Sequence, residues 1–139
     1  MKKLILLLFI FQTVFCFSQN VSSAKSTNVS MISLIANPKN YINKKVILKG
    51  FLNCERHDVS IYLSQVDYIN FNTQNAVYLI LSIDDINSLN IGKMGGKYVT
   101  IDGTFYISPN KDKQMGDNYI GALKNIVHVD LIEQRKKNE

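Results

Sequence analysis

Apolar and polar side chains alternate most clearly over Tyr98–Ile107. Successive side chains of a strand point to opposite faces, so Val99, Ile101, Gly103 and Phe105 should line one side. Tyr98, Thr100, Asp102 and Thr104 then line the other. An earlier stretch, Lys45–Leu52, repeats the layout, with Val46, Leu48 and Gly50 on one face and Phe51 directly after the glycine. A glycine inside such a run weakens a strand and marks a bulge or a tight bend. Two bent strands of this kind are what a small closed barrel needs to turn its corners.

Three more strands follow from the same period. In Val59–Leu63, Val59, Ile61 and Leu63 alternate with Ser60 and Tyr62; Ala76–Ser82 is the next. The last runs from Tyr119 to about Leu131 with a break near Lys124-Asn125, placing Val127, Val129 and Leu131 inside and His128 and Asp130 outside. A short helix capped by Asn28 or Ser30 should bury Met31, Leu34 and Ile35 and stop at Asn37-Pro38, since a residue before proline disfavours helix. Ser82 or Asp84 can cap a second helix through Leu89, with Ile83, Ile86 and Leu89 facing the core. Asn53–Asp58 reads as a polar turn and Asn90–Gly96 as a glycine-rich one. Gln65–Asn75 is a polar connection pinned by Tyr68, Ile69 and Phe71, and Ser108–Asn118 is a loop without apolar periodicity.

The order helix, three strands, short helix, two strands predicts a mainly β domain over residues 30–133. Its architecture is expected to be a five-stranded OB-type Greek-key barrel with an N-terminal helix and a short helix between strands three and four. A small β-sandwich, or a twisted sheet packed by one helix, is the rival.

The first residues change the picture of address. Met1-Lys2-Lys3, the apolar run Leu4–Phe11, Val14–Phe17 and a small residue at Ser18 have the layout of a secretory signal peptide over 1–18. A membrane span needs roughly 20 unbroken apolar residues, and Gln12 and Thr13 interrupt this run. Lipidation at Cys16 would want a small preceding residue, whereas Phe15 is bulky. The expectation is export, periplasmic or secreted, with no transmembrane segment after cleavage. A polar arm at 19–29 would precede the domain, and a basic tail at 134–139 would follow it. Without Lys2 and Lys3, 14 basic and 11 acidic residues leave a net charge of about +3, a slight excess that argues against nucleic acid as partner. Cys54 alone would remain, so no internal disulfide is available and stability must come from the core.

Ser33-Leu34-Ile35-Ala36-Asn37-Pro38, Tyr41, Lys45-Val46 through Gly50-Phe51, Lys97-Tyr98-Val99 through Gly103-Thr104-Phe105, and Gly121–Ile126 together resemble a recurrent pattern. It is that of small exported bacterial OB-fold-like proteins of uncharacterised function, and it covers most of the chain after the leader. The resemblance implies fold and export, and carries no catalytic residue over.

Candidate chemistry is sparse. His57 beside Asp58, and His128 two residues from Asp130, could serve a metal or acid–base chemistry, yet no metal-ligand spacing accompanies them. Asp84-Asp85 could be a catalytic pair, but acidic residues also favour a helix's first turn. Asp112 and Asp117 lack a calcium-loop pattern, and no phosphate-binding glycine motif or nucleophile elbow is present. The reading therefore assigns no catalytic residue, metal or cofactor. Tyr62, Tyr78 and Tyr106 should form an aromatic platform on the outer face, flanked by Lys111 and Lys113 in the loop between the last two strands. A non-enzymatic binding or structural module for a peptide, glycan or envelope partner protein is expected. A single-stranded nucleic-acid binder and a weak metal-dependent hydrolase are the alternatives.

Overall fold

The alternation over 98–106 is realised residue by residue. In the computed structural model, which describes residues 25–55, 58–108 and 118–133, Val99, Ile101, Gly103 and Phe105 are buried and their neighbours half-buried. The strands are β1 (Thr27–Asn28), β2 (Lys45–Glu55), β3 (Asp58–Tyr62), β4 (Ala76–Leu79), β5 (Tyr98–Tyr106) and β6 (Ala122–Leu131). The helices are short: α1 (Met31–Ala36), α2 (Gln65–Ile69), α3 (Ile83–Ser88) and α4 (Ile91–Met94), with 3₁₀ turns at Pro38–Tyr41 and Thr73–Asn75. The leader at 1–18, the tail at 134–139, His57, Lys111, Lys113, Asp112 and Asp117 lie outside the described residues.

The protein is mainly β, a six-stranded mixed sheet in the order β1-β2-β3-β4-β6-β5 whose last strand returns to pair with β2. The ladders thus form a partly closed ring, in which β1–β2 and β4–β6 are parallel and the other pairs antiparallel.

β2 serves both sides of the closure. Lys45–Phe51 pairs with β5, and Phe51–Glu55 pairs with β3. The change of partner falls at Phe51, and at Gly50 just before it a Cβ would run into the Tyr62 carbonyl oxygen and stand 2.7 Å from Ile61 Cγ1. Only glycine lets the strands approach this closely. The other expected corner is a register break. Asp102 faces His128 but Thr104 faces Lys124, so β6 carries two extra residues opposite Gly103, and Asn125 takes a left-handed φ of 52°. The expected break near Lys124-Asn125 is this bulge.

The bulge also corrects the inward face of β6. Val129 is buried, but Val127 is 66% exposed because it lies within the extra residues, and Leu131 is exposed at the strand's end. Inside the ring, Leu48, Leu52, Ile61, Val77, Ile101, Phe105 and Leu123 form one apolar cluster with Met31 and Leu34 of α1. Ser30 caps α1 by accepting from the Ser33 N–H at 3.0 Å.

Other expectations need correction. Thr27 and Asn28, expected within a loose polar arm, lie beside Val46 and Ile47 as a parallel strand. Asn90–Gly96 is not all turn, since Ile91 and Met94 are apolar at i and i+3 and α4 buries both. Ser82 and Asp85 close a capping box on α3, but Ile83, its first residue, points to solvent at 77% exposure while Ile86 and Leu89 pack inward. Between β3 and β4, Tyr68 packs as expected, whereas Ile69 and Phe71 are exposed.

Candidate functional site: the aromatic outer face

Register decides what meets on the outside of the ring. Phe51 of β2 faces Tyr62 of β3, which faces Ala76 of β4. One row further on, Asn53 faces Ser60, Ser60 faces Tyr78, and Tyr78 and Tyr106 flank Ala122 of β6. Side chains opposite one another across a ladder share a face, so the three predicted tyrosines share the outer face, with Tyr78 and Tyr106 two strand spacings, about 9–10 Å, apart.

They are not equivalent. Tyr62, expected as an open platform, is only 1% exposed. Tyr68 covers it from α2, with ring centroids 5.6 Å from Tyr62 and 5.3 Å from Phe51, and Tyr98 meets Phe51 edge-on at 5.4 Å. Tyr78 is half-buried against Tyr119, centroids 5.7 Å apart. Tyr106 carries the Lys124 ammonium 4.3 Å above its ring, a cation–π contact.

α2 is held over this face by hydrogen bonds. Ser64 caps it, and the Asp67 carboxylate accepts from Ser64, from Asn75 at 2.8 Å and from Asn72 at 3.1 Å. These donors, Ser64 first, hold the Asp67 carboxyl below the usual carboxylate range. The Tyr98 hydroxyl accepts the Gln65 N–H at 3.1 Å. Tyr68 donates to Glu55 Oε1 at 3.0 Å, and that bond pushes its phenol upward. A cleft of 380 Å³ opens beside Phe51, Gln65, Lys97 and Tyr98, bounded by Leu131 and Glu133.

The polar centre of the face went unnoticed in the sequence. Asn53 Nδ2 donates to the Asp58 carbonyl at 3.1 Å and to Asp58 Oδ2 at 3.2 Å. The Tyr119 hydroxyl donates to the same Oδ2 at 2.7 Å. Asp58 Oδ1 and the fully buried Ser60 Oγ have no hydrogen-bond partner among the described residues. The Tyr119 oxygen lies near enough to the Ser60 and Tyr62 hydroxyls to feel both, without a well-directed bond to Ser60. Burial, foremost, pushes the Tyr119 phenol far above the ordinary tyrosine value, so it remains a donor at all physiological pH. The sequence signal was the alternation of Ser60 with Tyr62; only the pairing with Asn53 and Tyr78 gave it meaning.

His128 and Asp130 form an exposed pair at 2.7 Å on the outside of β6. Asp85 is engaged in the α3 cap, which holds its carboxyl low through the Ser82 hydroxyl. Among the described residues no three His, Cys, Asp or Glu side chains gather as a metal site, and no helix is long and apolar enough to cross a membrane.

No protein-family model and no curated protein matches this sequence. Among solved structures, the chain is similar to a candidate aspartyl-tRNA synthetase from Leishmania major Friedlin. The match has a TM-score of 0.44 and 12% identity, and covers 94% of this chain and 26% of that one.

Proposed function

We propose that the protein is an exported, non-enzymatic binding module on an OB-type Greek-key barrel, and that it binds a neutral glycan on the outer face of β2, β3 and β4. The ring order β2-β3-β4-β6-β5, with a parallel β4–β6 pair, the close strand approach at Gly50 and the bulge opposite Gly103, supports the barrel reading. The leader layout at Met1–Ser18 supports export. OB-type barrels bind oligonucleotides and oligosaccharides on this face.

One observation carries the choice between those ligands: the polar side chains set among Phe51, Tyr62, Tyr68, Tyr78 and Tyr119 are Asn53, Glu55, Asp58 and Ser60, whereas the Lys124 ammonium lies over Tyr106. Nucleic acid requires cations along its phosphates. Carboxylate and amide groups between aromatic rings instead accept and donate hydrogen bonds to hydroxyls, while the rings cover apolar C–H surface.

The test is titration of the mature chain with chitotetraose and cellotetraose, followed by amide chemical shifts. Shifts should centre on Ser60, Tyr78 and Tyr119, and Tyr78→Ala should weaken binding about tenfold. Tight binding of an oligothymidylate with a steep salt dependence, and none of either sugar, would overturn the reading.

A further inference from the structure

The polar centre beneath Tyr119 offers more hydrogen-bonding capacity than Tyr119 uses. A phenol has one O–H to donate, and Tyr119 gives it to Asp58 Oδ2. Asp58 Oδ1 and Ser60 Oγ remain buried and unpartnered among the described residues. An unmet buried polar atom is destabilising, so a fold that retains two side by side on one face calls for an explanation. The Asn53 amide holds the Asp58 carboxylate in place from behind. The walls are aromatic: Tyr62 beside Tyr119 in one cluster, its hydroxyl close to the Tyr119 oxygen, and Tyr78 against the Tyr119 ring.

Tyr119 reaches this place from residues 118–121, which belong to neither helix nor strand. Rotation about its own Cα–Cβ bond would take the side chain off the face without unpairing β6, which begins at Ala122.

We infer that Tyr119 is the protein's own occupant of a hydroxyl-recognising subsite formed by Asp58, Ser60 and Asn53, and that a pyranose ring of the ligand takes its place. The inference rests on the glycan reading above and names the contact that reading lacks. A pyranose has the breadth of a phenol ring but carries hydroxyls on adjacent carbons. Two of them can donate to Oδ1 and Oδ2 of Asp58 together, and a third can meet Ser60 Oγ. The sugar's C–H face then lies on Tyr78, which displacement of Tyr119 uncovers. A tyrosine from a peptide would merely repeat what Tyr119 already does and leave the same two atoms unmet. Tyr119 thus sets the affinity of the site by competing for it.

Two measurements test this on the mature chain. In the first, Tyr119→Gly is melted with p-cresol or with toluene. The structure predicts a clear rise in melting temperature with p-cresol and a smaller one with toluene; equal rises would show that no hydroxyl is recognised and overturn the subsite. In the second, wild type, Tyr119→Phe, Tyr119→Ala and Tyr119→Ala/Ser60→Ala are titrated with chitotetraose and cellotetraose. Tyr119→Ala should bind one of them about tenfold tighter than wild type, Tyr119→Phe should fall between, and Ser60→Ala should cancel the gain. Tyr119→Phe retains the ring, so the series stays informative if Tyr119→Ala is poorly folded. Unchanged sugar affinity across the series would overturn the competition while leaving glycan binding intact. A positive p-cresol result with no sugar bound by any variant, or with a tyrosine peptide bound instead, would overturn the glycan as occupant.

Discussion

On the inner face of the ring, Leu48, Leu52, Ile61, Val77, Ile101 and Leu123 bring together buried side chains that carry no polar atom. On the outer face, Phe51, Tyr62, Tyr68, Tyr98 and Tyr119 pack as a second cluster, beside which Asn53, Asp58 and Ser60 form a polar row. The two faces are filled by different means. The inner one is filled by volume, and any void or excess methylene is felt directly. The outer one is filled by rings whose hydroxyls must each find a partner, and two of its polar atoms have none.

The contrast can be broken most forcefully from inside. Phe105→Ala empties the largest aromatic volume of the inner cluster and should cost about 3–5 kcal/mol in urea unfolding. A loss below about 1 kcal/mol would mean that the ring is not filled in this way. Gly50→Val comes next. Its new side chain meets the Tyr62 carbonyl and Ile61, so a loss toward the upper end of about 1–3 kcal/mol is expected. Gly103→Val should cost less, because its nearest contacts, Ile126 Cγ1 at 3.2 Å and the Lys124 carbonyl at 3.3 Å, lie on a bulge that can yield. Equal losses at the two glycines would contradict that difference.

The outer face should answer more gently, and to pH. Tyr119→Phe removes one hydrogen bond to Asp58 and should cost about 1 kcal/mol at neutral pH. The raised Tyr119 phenol stabilises the fold fully below the ordinary tyrosine value of about 10, and that contribution is lost as pH rises past it toward the folded value. Melting temperature should therefore fall in alkali for wild type and fall less steeply for Tyr119→Phe. Parallel curves would remove Tyr119 as the source. Smallest of all is Ser60→Ala. Since its hydroxyl has no partner, stability should change by less than about 0.5 kcal/mol or rise. A loss above about 1 kcal/mol would show that Ser60 is paired within the fold.

Elements with a strong local period were legible without coordinates. The burial of β5 alternates as its sequence does, α1 starts at Ser30 and buries Met31 and Leu34, and Ser82 caps α3. Each depends on neighbours within a few residues, so chain chemistry alone specifies it. The failures cluster where a partner from elsewhere decides. Val127 alternated correctly for a regular strand and was turned outward by the bulge opposite Gly103. Ile69 and Phe71 looked like anchors, yet Tyr68 alone reaches the sheet.

The candidate site shows the same division. That Tyr62, Tyr78 and Tyr106 point away from the inner cluster follows from period two, which any strand obeys. Alternation cannot say which side of a sheet receives a second layer. Tyr62 is buried because α2, three residues downstream, folds back and lays Tyr68 over it. Asp58, Ser60 and Tyr119 lie up to 61 residues apart in the chain and meet only because β6 runs parallel beside β4 and delivers Tyr119 to the β3 row. A hydrogen bond at that separation leaves no periodic trace, since its partners are set by strand order and register rather than by spacing along the chain.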